Sequence, residues 1–394
     1  MKINIVIYES SSFGGCYKYA TELFKAYRES PETGIVELLL PANAKDEGSG
    51  IHKILISDTR NGKKLHFLWR HFVNPFLLFF YLRKQPKSFV LLNDFEQLSA
   101  PLWAPFYLAF LQKHIFGVFL HDADRDAYPP SRAVSAFCMK QIMKTVSIAL
   151  YHGSLPERSY YKKRKGLKYL EVEHGPYFLP EPDADFFRML KDKTQDFKKV
   201  LVIPGNIRAE KNYDLVIEAL SEFPEYCLVI AGRASNSRVE INKYKEVAER
   251  SGVEKRLIWV EKFLSDSELS AVISISDLVV LYYSASFHSQ SGILHQVIPL
   301  KKPVLVSDLP NALTDTVRNY GIGIVCKADS AEALGQGLSL FEKEKIDPDW
   351  DRCLGEMSWE RQVGVVMEKI HHLRGSFESR GPSSLKLRRP KCFL

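Results

Sequence analysis

Apolar runs of strand length alternate with helical stretches twice along this chain, which predicts an α/β protein with two parallel-sheet halves. In the first half the runs fall at residues 3–8, 35–40, 89–92, 117–120 and 146–150. In the second they fall at 200–203, 227–231, 257–260, 278–281 and 304–307. Short runs of this kind, separated by helices, mark sheets covered on both faces. Between the two series, residues 174–186 (HGPYFLPEPDADF) are rich in Pro and Asp and read as an interdomain linker. The length agrees, because 394 residues exceed the roughly 250–300 that one hydrophobic core supports.

In chain order, MKINIVIY opens on a β-branched strand and lacks the apolar core and cleavage site of a signal peptide. SSFGGCYKYATEL then places Gly14 and Gly15 in the first strand-to-helix turn. Taken alone, a tight turn that needs small residues explains them. The apolar stretches 65–82 and 98–120 are interrupted by Arg70, Asn74 and Pro75, and by Pro101, Pro105 and Lys113. A spanning helix needs about 20 nearly uninterrupted apolar residues, so neither is expected to cross a membrane. The aromatic stretch 65–84 is expected to be a core helix. Basic residues flank its aromatics, however, and an interfacial helix remains the alternative. The basic run 158–168 reads as a solvated face. Residues 374–394 are basic, with Ser, Gly and Pro, and read as a disordered tail.

Composition is that of an ordinary globular protein, 45% hydrophobic and 26% charged. A net charge of +7 favours anionic ligands or surfaces without calling for nucleic acid. Six scattered cysteines, with no C-x-x-C pair, suggest reduced thiols and a cytoplasmic location. Neither a disulfide framework nor a metal site is expected, and no cofactor is called for.

Two segments carry the chemistry. In residues 287–308 (FHSQSGILHQVIPLKKPVLVSD), Ser291 and Gly292 precede a short helix whose first amides are free for an anion. Pro299 should end that helix early. In residues 205–220 (GNIRAEKNYDLVIEAL), a strand ends at Gly205, and Arg208 and Lys211 flank the next helix start. Two cations and a helix start at strand ends suggest a pyrophosphate site. The bland alternative is a pair of exposed cations matched with Glu210 and Asp214.

Together these segments resemble the C-terminal half of retaining GT-B glycosyltransferases of the family-4 type. Such proteins read G-R-L-x-x-x-K-G at the first place and E-G-F-G-L-x-x-x-E-A-x-x-x-G-x-P-V at the second. Gly205 and Lys211 match the first motif; Asn206 takes the place of its arginine, and Arg208 stands two places on. Counting back from Pro303 puts Gln296 and His288 where the two glutamates belong, and Lys301 where a glycine ends the helix. Ile293 follows Gly292 within the same motif.

The resemblance implies two Rossmann-like αβ domains facing a cleft, with a C-terminal helix crossing back to the first. It assigns residues 1–180 to an acceptor-side domain, 187–356 to a nucleotide-sugar domain and 357–373 to the crossover helix. It implies transfer of a sugar from a UDP- or GDP-sugar to an acceptor hydroxyl with retention, the acceptor being a glycan or lipid-linked. Arg208 and Lys211 would neutralise the diphosphate. Gly14, Gly15, Gly205, Asn206, His288, Ser291, Gly292, Ile293 and Gln296 would hold the donor.

His121, at the end of the strand in GVFLHDADRD, resembles the family's cleft histidine beside the transferred sugar; its alternative is a hydrogen-bonded strand-end histidine. Asp122–Ala123–Asp124 also spells D-x-D, a metal signature of another transferase fold, but the surrounding pattern is not of that fold. Loss of both glutamates leaves open a catalytically silent GT-B protein that binds or regulates. An NAD-linked reading lacks G-x-G-x-x-G. Peripheral contact with the inner face of an anionic membrane goes with the interfacial alternative for residues 65–84, and many proteins of the resembled family act on lipid-linked acceptors.

Overall fold

The computed structural model describes residues 2–58, 64–125, 131–235, 239–287, 291–343 and 346–378. The chain divides into two compact units. The first holds residues up to 151, residues 155–172 and the stretch from Trp359 on; the second holds 152–154 and 173–358. The division therefore falls at Val172–Glu173, ahead of the Pro- and Asp-rich stretch.

The first unit runs β1 (Ile3–Tyr8), α1 (Gly15–Glu29), β2 (Thr33–Pro41), β3 (Ile51–Leu55), α2 (Lys64–Lys84), β4 (Ser88–Leu92), α3 (Ala100–Phe110), β5 (Ile115–Leu120), α4 (Arg132–Thr145), β6 (Ile148–Tyr151) and β7 (Lys168–Glu171). Its seven strands lie parallel in the order β3-β2-β1-β4-β5-β6-β7. Strand order reverses direction between β1 and β4.

The second unit runs α5 (Ala184–Thr194), β8 (Lys199–Pro204), α6 (Tyr213–Leu220), β9 (Tyr226–Ala231), α7 (Ile241–Arg250), β10 (Leu257–Val260), α8 (Asp266–Ile275), β11 (Leu278–Leu281), α9 (Leu294–Val297), β12 (Val304–Asp308), α10 (Ala312–Tyr320), β13 (Gly323–Lys327), α11 (Ala331–Lys343) and α12 (Trp350–Glu356). Six parallel strands take the order β10-β9-β8-β11-β12-β13, reversing between β8 and β11. The last helix, α13 (Trp359–Glu378), returns to the first unit.

Both sheets are covered on both faces. In the first unit, α2, α3 and α4 bury Leu78, Trp103 and Met139 on one side, while α1 and α13 bury Leu23 and Met367 on the other. In the second, α5, α8 and α10 share one layer and α6, α7 and α11 the opposite one.

Three strands escape the sequence reading: β3, β7 and β13. All are sheet edges, where most side chains are only partly buried and the apolar run is broken by polar or small residues. The aromatic stretch 65–84 does form a helix, but a core assignment describes only its inward stripe. Pro75 lies inside that helix and cannot donate to the carbonyl of His71. Ser99 Oγ donates to that carbonyl instead, at 2.6 Å. α13 continues to Glu378, five residues into the segment expected as tail; residues 379–394 lie outside the described set.

Candidate functional site

In open parallel sheets, the carboxyl ends of strands beside the reversal carry the ligand loops. In the second unit β8 is such a strand. It ends at Pro204, and Gly205 follows at φ 84°, the left-handed region that favours glycine. A Cβ on Gly205 would lie 2.9 Å from Ile293 Cδ1, so the residues leading into α9 pack directly over this turn. Asn206 is exposed, and the chain then enters a 3-10 turn, Ala209–Lys211.

Asn212, at φ 47°, closes that turn and begins α6. The Asp329 carboxylate accepts both Asn212 Nδ2 and the Ala285 amide, each at 2.9 Å. Ser284 N–H donates to the Glu210 carbonyl at 2.8 Å. The turn after β8 and the loop after β11 are thus held together by three hydrogen bonds.

Lys211 is only 3% exposed, and its Nζ donates to the Pro204 carbonyl at 2.6 Å. Burial, reinforced by the neighbouring Arg208 charge, lowers its pKa to about 7. Among the described residues neither cation forms an ion pair with a carboxylate. Exposed pairing with Glu210 and Asp214 therefore does not describe Lys211. Arg208 lies 6.0 Å from the centroid of Phe287 and meets the Tyr283 hydroxyl. Tyr283 in turn stacks on Phe287 at 3.9 Å and hydrogen-bonds Ser291 Oγ at 3.0 Å.

Ser291 is consequently turned inward, while Gly292 is exposed with open space where a Cβ would stand. The helix that follows is a single turn, continued as a 3-10 turn at Ile298–Leu300, where Pro299 removes a donor. One turn supplies free amides but little of the dipole expected of a longer helix. Lys301, at φ 51°, fills the position usually taken by glycine. Gln296 is half-buried, and its Oε1 has no partner among the described residues. The adjacent His295 is buried and stacked on His174 at 3.8 Å, with burial and then His152 pushing its pKa down to about 3. His288 lies outside the described residues.

In the first unit β1 is the corresponding strand; it ends at Tyr8 and is followed directly by Glu9, which is fully buried. Glu9 accepts the Ser11 amide at 2.7 Å and Asn93 Nδ2 at 2.5 Å. Asn93 Nδ2 also reaches the Cys16 carbonyl at 3.1 Å, so its Oδ1 is left for His121 Nε2, 3.0 Å away. That orientation makes Nε2 the donor. Behind it, His121 stacks on Phe119 at 4.3 Å and meets the edge of Tyr19 at 4.6 Å. Burial, with the Asp94 charge second, raises the Glu9 pKa. Gly14 sits at φ 92° as the N-cap of α1, and a Cβ on Gly14 or Gly15 would meet no atom within 4 Å.

Asp124, the second acid of D-x-D, is held by Arg158 at 3.2 and 2.7 Å. Among the described residues no cluster of three or more His, Cys, Asp or Glu could bind a metal. The structure thus gathers Gly205, Arg208, Lys211, Ser291 and Ile293 in the second unit, and places Gly14, Gly15 and His121 at strand ends of the first. Sequence reading passed over Glu9, Tyr283, Phe287 and Asp329. Of these, only Glu9 carried a signal, an acid immediately after an apolar strand.

Residues 188–352 match the model of the family glycosyl transferases group 1. The match contains the Arg208–Lys211 turn and the loop that meets it. Among solved structures, sucrose-phosphate synthase from Thermosynechococcus elongatus aligns with TM-score 0.63 at 16% identity, over 96% of this chain and 100% of that one. HepE from Anabaena, in complex with UDP and glucose, aligns with TM-score 0.65 at 14% identity, over 95% and 100%. The fold is GT-B. A glycosyltransferase from Rickettsia africae ESF-5 shares it, with TM-score 0.64 at 13% identity over 96% and 99%. No curated protein matches the sequence. At these identities the structural likeness carries the GT-B fold alone. In that GT-B frame, each unit presents its polar cluster where its own strand order reverses.

Proposed function

We propose that this protein is a glycosyltransferase that moves a sugar from a nucleotide diphosphate-sugar to an acceptor hydroxyl, with retention, in the synthesis of a surface polysaccharide or glycolipid. The observation that carries the proposal is Lys211. A buried cation without a carboxylate partner is costly, and a diphosphate supplies the missing charge. Arg208 stands beside it, and the exposed Gly292 leaves backbone open to a phosphate. Departure of the nucleoside diphosphate builds negative charge on its oxygens, and fixed cations stabilise that charge as it forms. HepE, solved with UDP and glucose, accords with such a donor.

Gln296 would meet a ribose hydroxyl through its unpartnered Oε1, without the added strength of a charge. His121, whose Nε2 donates to Asn93 Oδ1, would stand beside the sugar or acceptor. Replacement of both motif glutamates supports a second reading, a GT-B protein that binds donor without turnover.

Calorimetry with UDP and GDP tests the proposal. A charge-assisted contact is worth about 1.5–3 kcal/mol, so Arg208→Ala and Lys211→Met should each weaken binding by about 10- to 150-fold. Unchanged affinity in both variants would remove the diphosphate from this site. Donor hydrolysis or transfer by wild type then separates an enzyme from a silent binder.

A further inference from the structure

In the first unit α2, α3 and α4 lie on one side of the sheet, and their outward faces are apolar. Trp69 is 60% exposed, Phe80 58%, Phe110 65% and Phe137 54%. On α2, Leu65, Trp69, Phe72, Phe76 and Phe80 follow one another at three- and four-residue spacing, which makes a single stripe. Leu102, Phe106 and Phe110 repeat that on α3. The rings of Phe76 and Phe106 are 5.7 Å apart, so the two stripes join. Contiguous apolar patches of this kind mark interaction sites.

Charge identifies the occupant. None of the three helices contains an aspartate or glutamate. α2 carries Lys64, Arg70, Arg83 and Lys84, and α4 carries Arg132, Lys140 and Lys144. Arg70 turns inward to Asp58 at 2.6 Å, while Arg83, Lys84, Arg132, Lys140 and Lys144 are exposed. An apolar face on helices that carry exposed cations and no acids suits an anionic interface and disfavours a second copy of itself. No helix among the described residues is long and apolar enough to cross a membrane, so the face would lie along a bilayer.

We propose that the α2–α3–α4 face docks on a lipid bilayer bearing anionic head groups. A pocket of about 400 Å³ lies between α2 and α4, lined by Phe67, Arg70, Asp94, Arg125 and Val134 among others. Docking brings it to the bilayer surface. Under the transferase reading, that is where an acceptor carried in the bilayer is met; the docking itself does not depend on that reading.

The test is co-sedimentation of the full chain with phosphatidylcholine vesicles, with and without roughly one third phosphatidylglycerol. Binding is expected only with the anionic lipid, and is expected to be lost at about 0.5 M salt. Trp69→Glu and Phe110→Glu, on different helices, should each weaken it by about tenfold or more, because binding scales with buried apolar area. Both sites are exposed, so melting temperature and UDP affinity should stay at wild-type values. No binding to anionic vesicles at low salt overturns the proposal, as does undiminished binding by both variants. Dimerisation lost in the variants, without vesicle binding, would assign the face to a second copy and overturn it too. Failure of UDP binding with intact vesicle binding would count against the transferase reading alone.

Discussion

Lys211 shows how one residue ties stability to ligand. Its ammonium is enclosed beneath the Gly205 turn with a single carbonyl partner, and burial lowers its pKa from 10.5 to about 7. Between those two values the unfolded chain holds a proton that the folded chain has released. Stability therefore rises with pH across that window, and the burial penalty is felt in full below it. Lys211→Met removes the titrating group, so its stability should rise less than that of wild type between pH 7 and 10. Urea denaturation of both proteins at several pH values measures the difference. Identical slopes would mean that the ammonium is not buried as described. A bound diphosphate reverses the preference, because it favours the protonated lysine. UDP affinity in wild type should accordingly fall as pH rises above 7, with a shallower fall in Lys211→Met.

The element that positions this lysine is the turn from β8 through the 3-10 segment into α6, and Gly205 is its tightest point. An alanine there would be strained in two ways. The left-handed backbone costs a residue with a Cβ about 1–2 kcal/mol, and the new methyl would meet Ile293 Cδ1 at 2.9 Å. The second contact involves the flexible end of a side chain and can be relieved; the first cannot. Gly205→Ala is thus expected to lower stability by about 1–2 kcal/mol and to weaken UDP binding, and adding Ile293→Val should not restore stability. Full recovery in the double variant would place the cost in packing instead of the backbone. Much of this element was legible beforehand: Gly205, Arg208 and Lys211 are chemically distinctive and sit directly after an apolar strand. The clamp that holds it was not. Asp329 joins Asn212, 117 residues before it, to Ala285, 44 residues before it, a pairing that no local pattern announces. The inward turn of Ser291 depends likewise on Tyr283, and an apolar-looking strand end gave no hint of that hydroxyl's use. Strands were readable where the apolar run is unbroken, the edge strand β10 (LIWV) included, and were lost at β3, β7 and β13, edge strands whose runs are interrupted by polar residues or glycine.

At the scale of the whole molecule, the last helix belongs to the first unit although the second unit precedes it in the chain. α13 places Val363, Val366, Met367 and Ile370 in the core that α1 builds with Tyr19, Leu23 and Tyr27. Its first turn adds two more contacts: Trp359 meets the edge of Tyr19 at 4.8 Å, and Gln362 donates to the Tyr19 hydroxyl. The helix therefore completes a core of the unit that carries His121. Loss of a fully buried Met side chain to alanine typically costs about 2–5 kcal/mol. Met367→Ala should lower the melting transition of the first unit while leaving that of the second near its wild-type temperature. The ligand makes the assignment of the two transitions independent of the mutation. UDP contacts, on the present reading, the turn after β8, so a saturating concentration should raise only the second unit's transition, by about 2.7 kcal/mol at 100 times its dissociation constant. Scanning calorimetry of wild type and Met367→Ala, each with and without UDP, separates the two effects. If Met367→Ala and UDP both move one and the same transition, the units do not melt separately, and α13 stabilises the molecule as a whole.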